Sequence, residues 1–271
     1  MHHLLTHTSG LDVRIYYTPE PAKTDHLELP PCPPTQHPWV HENLFANYDK
    51  PLARPPGEEM SYCNYNYWLL AEIVRRLSGK SLADFVKERI FDPLAMNDTR
   101  YIAPDSTKHR IVRRPSTATC AFLDEDWFWD TPLPEGGALS TTPDMAIFAQ
   151  MLLNGGTYNG ARILSRATVA AMTQNQIPGI QGFEGDERHA EASWGYGWSV
   201  RGHESWKYQP GTLMSPEAFR HDGAGGVYIW VDPTYELVGI YFSAILEMIN
   251  GIHMKSPVDL FANAVAAAID D

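Results

Sequence analysis

From Asn64 onward the apolar positions recur at helical spacing. Leu69, Leu70, Ile73, Val74 and Leu77 fall at i, i+1, i+4, i+5 and i+8, one stripe of a 3.6-residue period. The pattern predicts a helix that Gly79 ends in a left-handed conformation. Ser81 is placed to cap a second helix, with Asp84 three residues on, Leu82, Phe85, Val86 and Ile90 on its apolar face and Pro93 as its stop. A third helix is predicted from Thr142 as N-cap and Pro143 at the first helical position, through Met145, Phe148, Ala149 and Leu152 to Gly155. Ser165 caps a short fourth helix ending near Met172.

The last third changes period. Gly195–Val200, Gly226–Val231 and Glu236–Leu246 are rich in Val, Ile, Tyr, Phe and Trp and read as strands, with Asp232-Pro233-Thr234 as a hairpin turn. Ser256-Pro257 opens a closing helix with Val258, Phe261, Val265 and Ile269 facing inward. Residues 13–60 are different again. Prolines recur from Pro19 to Pro56, including Pro30-Pro31-Cys32-Pro33-Pro34, which excludes long helices and predicts a loop-dominated excursion. The sum is an α+β architecture read as one domain over 1–271: the excursion at 13–60, a mainly helical part at 62–175, and antiparallel strands with the final helix at 195–271.

Composition narrows the function. The chain has 271 residues, 44% hydrophobic and 20% charged, with a formal charge of −12. That apolar content excludes intrinsic disorder as the main state. The balance of charge, with no Lys/Arg cluster, argues against nucleic acid, whose phosphates need a basic footprint. No apolar run reaches the roughly 18 residues of a membrane span. Three cysteines without a C-x-x-C pair make neither a disulfide scaffold nor a zinc ribbon. Met1–Leu5 has no basic or apolar leader pattern; it starts inside what already reads as structure. The expected partner is a small molecule or peptide, with no cofactor.

Three segments could carry chemistry: His3-Leu4-Leu5-Thr6-His7-Thr8-Ser9-Gly10-Leu11, Tyr62-Cys63-Asn64, and His221-Asp222-Gly223-Ala224-Gly225-Gly226. Each has a plainer explanation. His3 and His7 at i, i+4 could share a helix face and bind a metal, yet no H-E-x-x-H pattern or third ligand accompanies them, and a hydrogen-bonded helix start is favoured. Tyr62 and Asn64 alone suit a turn and an N-cap, and the glycines suit a tight turn into a strand.

Their order and spacing carry more. His3–Leu11 resembles the segment after the nucleophile helix of the serine β-lactamase and penicillin-binding-protein-like hydrolases, in the class C, esterase and D-peptidase branch. Tyr62-Cys63-Asn64 matches that family's Y-x-N motif, and Tyr65–Gly79 resembles the helix after it. Ile90–Thr99 resembles its I-F-x-P-L-G-M-x-x-T stretch, Glu135–Asp144 its G-G-x-x-S-T-x-x-D loop, and His221-Asp222-Gly223 its third motif in H-x-G form. The resemblance implies a β-lactamase/transpeptidase-like fold and acyl-enzyme hydrolysis of an ester, amide, D-peptide or β-lactam. H-x-G in place of K-T-G leans toward an esterase or D-peptidase. It also implies roles. Tyr62 would be the base or proton relay, although a free phenol titrates near ~10 and needs adjacent cations to serve at neutral pH. Asn64 would hold the substrate carbonyl, His221 would shape local charge, and Gly223 and Ala224 would line the strand edge, Ala224 giving one oxyanion-hole N–H.

One departure is decisive. The residues three before each lysine are Glu20, Asn47, Leu77, Asp84, Asp105, Glu204 and Ile252, so no S-x-x-K occurs in these 271 residues. A serine hydroxyl needs such a neighbouring base to attack. The chain is therefore expected to be an N-terminally truncated member, lacking the nucleophile, its lysine and the early strands, and inactive alone. The alternative is a non-catalytic module that binds a peptide or peptidoglycan-like ligand. Cys63, at the variable position of Y-x-N, is expected to fill space rather than replace the serine. The acidic, aromatic stretch Leu123–Thr131 either lines the cleft or is a surface loop anchored by Trp127 or Trp129.

Overall fold

The computed structural model describes residues 1–13, 28–118, 120–184, 187–202, 211–224, 226–244, 248–249, 252–253 and 256–269. Helices dominate the first two-thirds. After a single turn at His2–Leu5 come helices Pro38–Phe45, Tyr65–Ser78, Leu82–Val86, Thr142–Leu153 and Arg166–Thr173. Ser199–Val200, Phe219–Gly223, Val227–Asp232 and Leu237–Phe242 then form a four-stranded antiparallel sheet in chain order, and Ser256–Ala266 closes the chain.

Local chemistry accounts for the helix ends. Gly79 sits at φ 70° past Ser78 and returns its N–H to the Arg75 carbonyl. Ser81 Oγ accepts from the Asp84 N–H at 3.1 Å, and Ser165 Oγ from the Thr168 N–H at 3.0 Å. The expected Thr142 cap is corrected by one residue. Thr141 holds the extended conformation, φ −124° and ψ 160°, that lets its hydroxyl reach Asp144, so Thr142 is already helical. Within the Pro-rich excursion an eight-residue helix forms, because Pro38 occupies its first position, where no N–H is required. Residues 14–27 of that excursion lie outside the described residues.

The main core lies between the Thr142–Leu153 helix and one face of the sheet, where Ala149, Met151, Leu152, Phe219 and Val231 are buried. A second cluster joins Leu11, Val40, Leu44, Cys63, Tyr65 and Trp68. Met60, Ile177, Ala192 and Trp194 make a third, with Tyr62 at its margin. Periodicity misplaced some faces. The Tyr65–Ser78 helix buries Tyr65, Asn66, Trp68 and Glu72, while Leu77 is 83% exposed. Glu72 can turn inward because Arg75, Arg76 and Gln36 all donate to its carboxylate. In the last helix Val258 and Ala262 are buried and Phe261 lies at the surface, its ring against Trp230 and Tyr241.

Two predicted strands are shorter than expected. Gly195–Val200 is mostly a tight turn in which the Gly195 N–H meets the Trp198 carbonyl, leaving only Ser199–Val200 as strand. Glu236–Leu246 is strand over Leu237–Phe242, and Leu246 lies outside the described residues. Asp232-Pro233-Thr234 does turn the hairpin, and a fully buried carboxylate holds it. Asp232 accepts from the Ser215 N–H at 2.7 Å, the Ser215 hydroxyl at 2.6 Å and the Thr234 N–H at 3.1 Å.

The first segment is pinned differently. The carbonyls of Gly10, Thr8 and His7 accept from the N–H groups of Ala53, Gly57 and Ser61 at 2.9, 2.7 and 2.9 Å, so residues 7–10 run antiparallel to 53–61. Gly10 has φ 84°, and a Cβ there would lie 2.1 Å from the Arg54 carbonyl oxygen; only glycine allows this approach. The same stretch forms strand Glu59–Ser61, which pairs in parallel with Gln181–Glu184. Asp144 joins two further segments, accepting from the Asp98 N–H and the Thr99 hydroxyl, while Arg100 and Leu139 exchange backbone bonds.

Asp232→Ala leaves the three donors from Ser215 and Thr234, two of them buried, without their acceptor and is expected to cost about 3 kcal/mol. Urea unfolding followed by tryptophan fluorescence should show a lower midpoint with unchanged slope; an unchanged midpoint would contradict the assignment.

Candidate active site

The Y-x-N segment and the H-x-G strand meet around one indole. Trp194, 3% exposed, presents edges to Tyr62 at 5.8 Å and His221 at 5.8 Å between ring centroids. Tyr62 and His221 are themselves 6.3 Å apart. His7 completes the group, its ring 4.3 Å from Tyr62 at 32° and 5.3 Å from Trp194. Four rings from four distant segments thus form one cluster. Trp194 was not singled out from the sequence; the aromatic run Trp194-Gly195-Tyr196-Gly197-Trp198 was the available signal, but it reads equally as strand.

Each side chain is held by its own element. Tyr62 follows strand Glu59–Ser61 directly and is half-buried. Asn64 occupies the N-cap position of the Tyr65–Ser78 helix but does not cap it: at φ −59° and ψ −31° it is already helical, and its side chain makes no cap bond. Its amide is therefore left for something other than its own helix. Asn66 takes the structural role instead, fully buried, donating to the Cys63 carbonyl and accepting from the Ser9 hydroxyl at 2.6 Å.

His221 lies within strand Phe219–Gly223, a strand absent from the periodicity reading, opposite Ile229 on its neighbour. Its Nδ1–H donates to the Asp222 carbonyl at 2.8 Å, which makes Nε2 the acceptor of the neutral ring. Gly223 is two residues further and so shares the face of His221. Ala224, expected on a strand after Gly223, instead opens the exposed turn between the two strands, because Gly226 returns its N–H to the Gly223 carbonyl. Gly225 lies outside the described residues.

The other candidates resolve in physical terms. Cys63 is 1% exposed among apolar neighbours, and burial pushes its thiol up to about 11, the opposite of an activated nucleophile. His3 and His7 do not share a helical face. The helix ends at Leu5, and His7 adopts φ 56°. His3 Nδ1 is 2.9 Å from the Thr8 hydroxyl, and His7 Nδ1 accepts from the Cys63 N–H at 3.1 Å. Among the described residues no group of three His, Cys, Asp or Glu could hold a metal ion. In Leu123–Thr131 the anchor is Trp129, 1% exposed, its indole donating to the Leu123 carbonyl with the Arg113 guanidinium 4.1 Å over the ring.

Sequence reasoning also passed over Glu135. Burial pushes its carboxyl up to about 7, against weaker opposing effects of its own backbone N–H and the Trp68 indole. Oε2 is buried without a hydrogen-bond partner among the described residues. The nearby Tyr101 phenol is pushed up to about 12, by burial and then by the Glu135 charge.

Residues 1–250 match a family model described as Beta-lactamase. A protein of Escherichia coli O157:H7 provisionally named a D-alanyl-D-alanine carboxypeptidase is 28% identical over 214 residues, 71% of this chain and 46% of that protein. The chain thus spans about half the length of the curated relatives it matches. A beta-lactamase of Mycobacterium bovis superposes with TM-score 0.65 at 25% identity, covering 98% of this chain and 72% of that one. A penicillin-binding protein homologue of Caulobacter crescentus gives TM-score 0.71 at 22% identity, covering 98% and 70%. The fold is accordingly the α+β, β-lactamase/transpeptidase-like one. No helix among the described residues is long and apolar enough to cross a membrane.

The Glu135 carboxyl has a pH consequence. Its ordinary value is 4.5, so between about 4.5 and 7 the folded chain binds more protons than the unfolded one, and this group makes stability fall as pH rises through that window. Glu135→Gln removes the effect. The variant should melt with the wild type near pH 4 and roughly 4 °C or more above it at pH 8. Equal melting temperatures at pH 8 would contradict the assignment.

Proposed function

The chain belongs to the beta-lactamase family, and on that premise we propose that these residues form the substrate-holding and proton-transfer side of a serine hydrolase's acyl-transfer site. What supports the reading is a single observation: Tyr62 and His221, from the first and last thirds of the chain, share one aromatic cluster around Trp194.

The division of labour follows from the side chains. Tyr62 carries the proton between the attacking oxygen and the leaving group. Asn64, with an amide that both donates and accepts and is not spent on its helix, holds a substrate carbonyl. His221 Nε2 accepts from the tyrosine or from the substrate. The backbone at Gly223 and Ala224 lies at the strand end, where an N–H can meet the developing oxyanion. The serine that would form the acyl bond and the lysine that would activate it are not among the 271 residues, since none of the lysines has a serine three positions before it.

The substrate class favoured is a D-peptide or ester rather than a dedicated β-lactam, because His221 stands where a cationic lysine would pair with a β-lactam carboxylate. A second reading is a binding module for a peptide or peptidoglycan-like ligand. The favouring observation is the same: the ring cluster is whole although the S-x-x-K motif is absent.

A fluorescent penicillin or fluorophosphonate should leave no covalent label on the purified 271-residue chain; a denaturation-stable label would overturn the inactivity. An N-acyl-D-Ala-D-Ala peptide should bind without turnover, and Tyr62→Phe with His221→Ala should weaken it about tenfold or more. A folded chain that does not bind any such peptide would overturn the site.

A further inference from the structure

His7 is used by none of the roles above, yet it touches Tyr62 and the residues on either side of it. Its carbonyl accepts from the Ser61 N–H at 2.9 Å, its ring lies 4.3 Å from the Tyr62 ring at 32°, and its Nδ1 accepts from the Cys63 N–H at 3.1 Å. From its geometry we infer that His7 is the positioning residue for Tyr62: it fixes the backbone on either side of the tyrosine and supports one face of the phenol ring. The inference rests on the proton-transfer role given to Tyr62.

The geometry leaves the imidazole little choice. Two donors converge on Nδ1, the Cys63 N–H and the Asn66 side-chain amide, each at 3.1 Å, so the ring carries its proton on Nε2. Asn66 cannot turn its oxygen to Nδ1, because that oxygen accepts from the Ser9 hydroxyl at 2.6 Å while its nitrogen also serves the Cys63 carbonyl. The far side of the ring is closed by Tyr67 at 5.4 Å and Trp194 at 5.3 Å, and His7 is 1% exposed.

The backbone supplies a second argument. His7 sits at φ 56°, a left-handed conformation that costs a residue with a Cβ about 1 kcal/mol or more and that glycine would adopt freely. A histidine held there against that cost serves through its ring. The His221 ring has the opposite tautomer, proton on Nδ1, and approaches Tyr62 at 6.3 Å. Tyr62 thus meets two histidine rings, His7 at 4.3 Å and His221 at 6.3 Å, which carry their protons on opposite nitrogens.

The test needs no catalytic turnover. Nitrogen-15 NMR of histidine-labelled wild type should show His7 with a bare Nδ1 and a protonated Nε2; the opposite tautomer would overturn the inference. His7→Asn keeps an acceptor for the Cys63 N–H and tolerates the left-handed backbone, so its thermal midpoint should stay within about 3 °C of wild type. Without the ring, the Tyr62 ring-proton shifts should move toward free-tyrosine values and D-Ala-D-Ala peptide affinity should fall about three- to tenfold. A folded His7→Asn variant with wild-type Tyr62 shifts would overturn the inference. Should wild type itself not bind the peptide, the site reading falls, while the Tyr62 shifts still decide the role of His7.

Discussion

Residues 7–10 lie antiparallel against 53–61, and the position of the site follows from that contact. Three backbone bonds set the register, and the side chains of His7 and Ser9 extend it to Cys63 and Asn66 at the start of the Tyr65–Ser78 helix. Glu59–Ser61, thus aligned, pairs in parallel with Gln181–Glu184. That pairing brings Tyr62 to Trp194, and Trp194 in turn meets the strand that carries His221.

Three buried carboxylates hold much of the rest of the frame, each matched to its donors. Asp144 ties 98–99 to the helix it opens, Asp232 closes the hairpin beneath Ser215, and Glu72 gathers two arginines and Gln36. An unmatched group in such positions would cost about 1–3 kcal/mol, so these pairs select one arrangement among several that would bury the same apolar area. Hydroxyls within the family motifs are committed to this task too. Ser9, Thr8 and Ser140 all have hydroxyl partners or amide acceptors within the frame.

Legibility in the sequence followed locality. Gly79, Ser81 and Ser165 act within one helical turn, and their roles could be read from spacing alone. The family motifs marked Tyr62, Asn64 and His221, yet nothing local showed that Trp194 would join them, since ring contacts across the fold have no sequence period. The strand Phe219–Gly223 has no clear signal because Arg220, His221 and Asp222 interrupt its apolar pattern; pairing with Val227–Asp232 makes it a strand, and Arg220 Nη1 donates to the Asp222 carboxylate. Gly195–Val200 failed in the opposite direction. Its aromatics favour extended structure, but glycines at 195 and 197 let the chain turn back at Trp198. Leu77 and Phe261 fit their helical stripes and still face outward, because a stripe names a face without naming what covers it.

The His7–Gly10 turn fixes the Y-x-N segment. The Cys63 amide reports on it most directly, because its hydrogen bond goes to the His7 ring and not to a strand or helix neighbour. Native-state hydrogen exchange should find this amide protected to the same degree as those of strand Val227–Asp232, opening only with the whole fold. Exchange of Cys63 at the rate of a surface loop, while the sheet stays protected, would contradict the account.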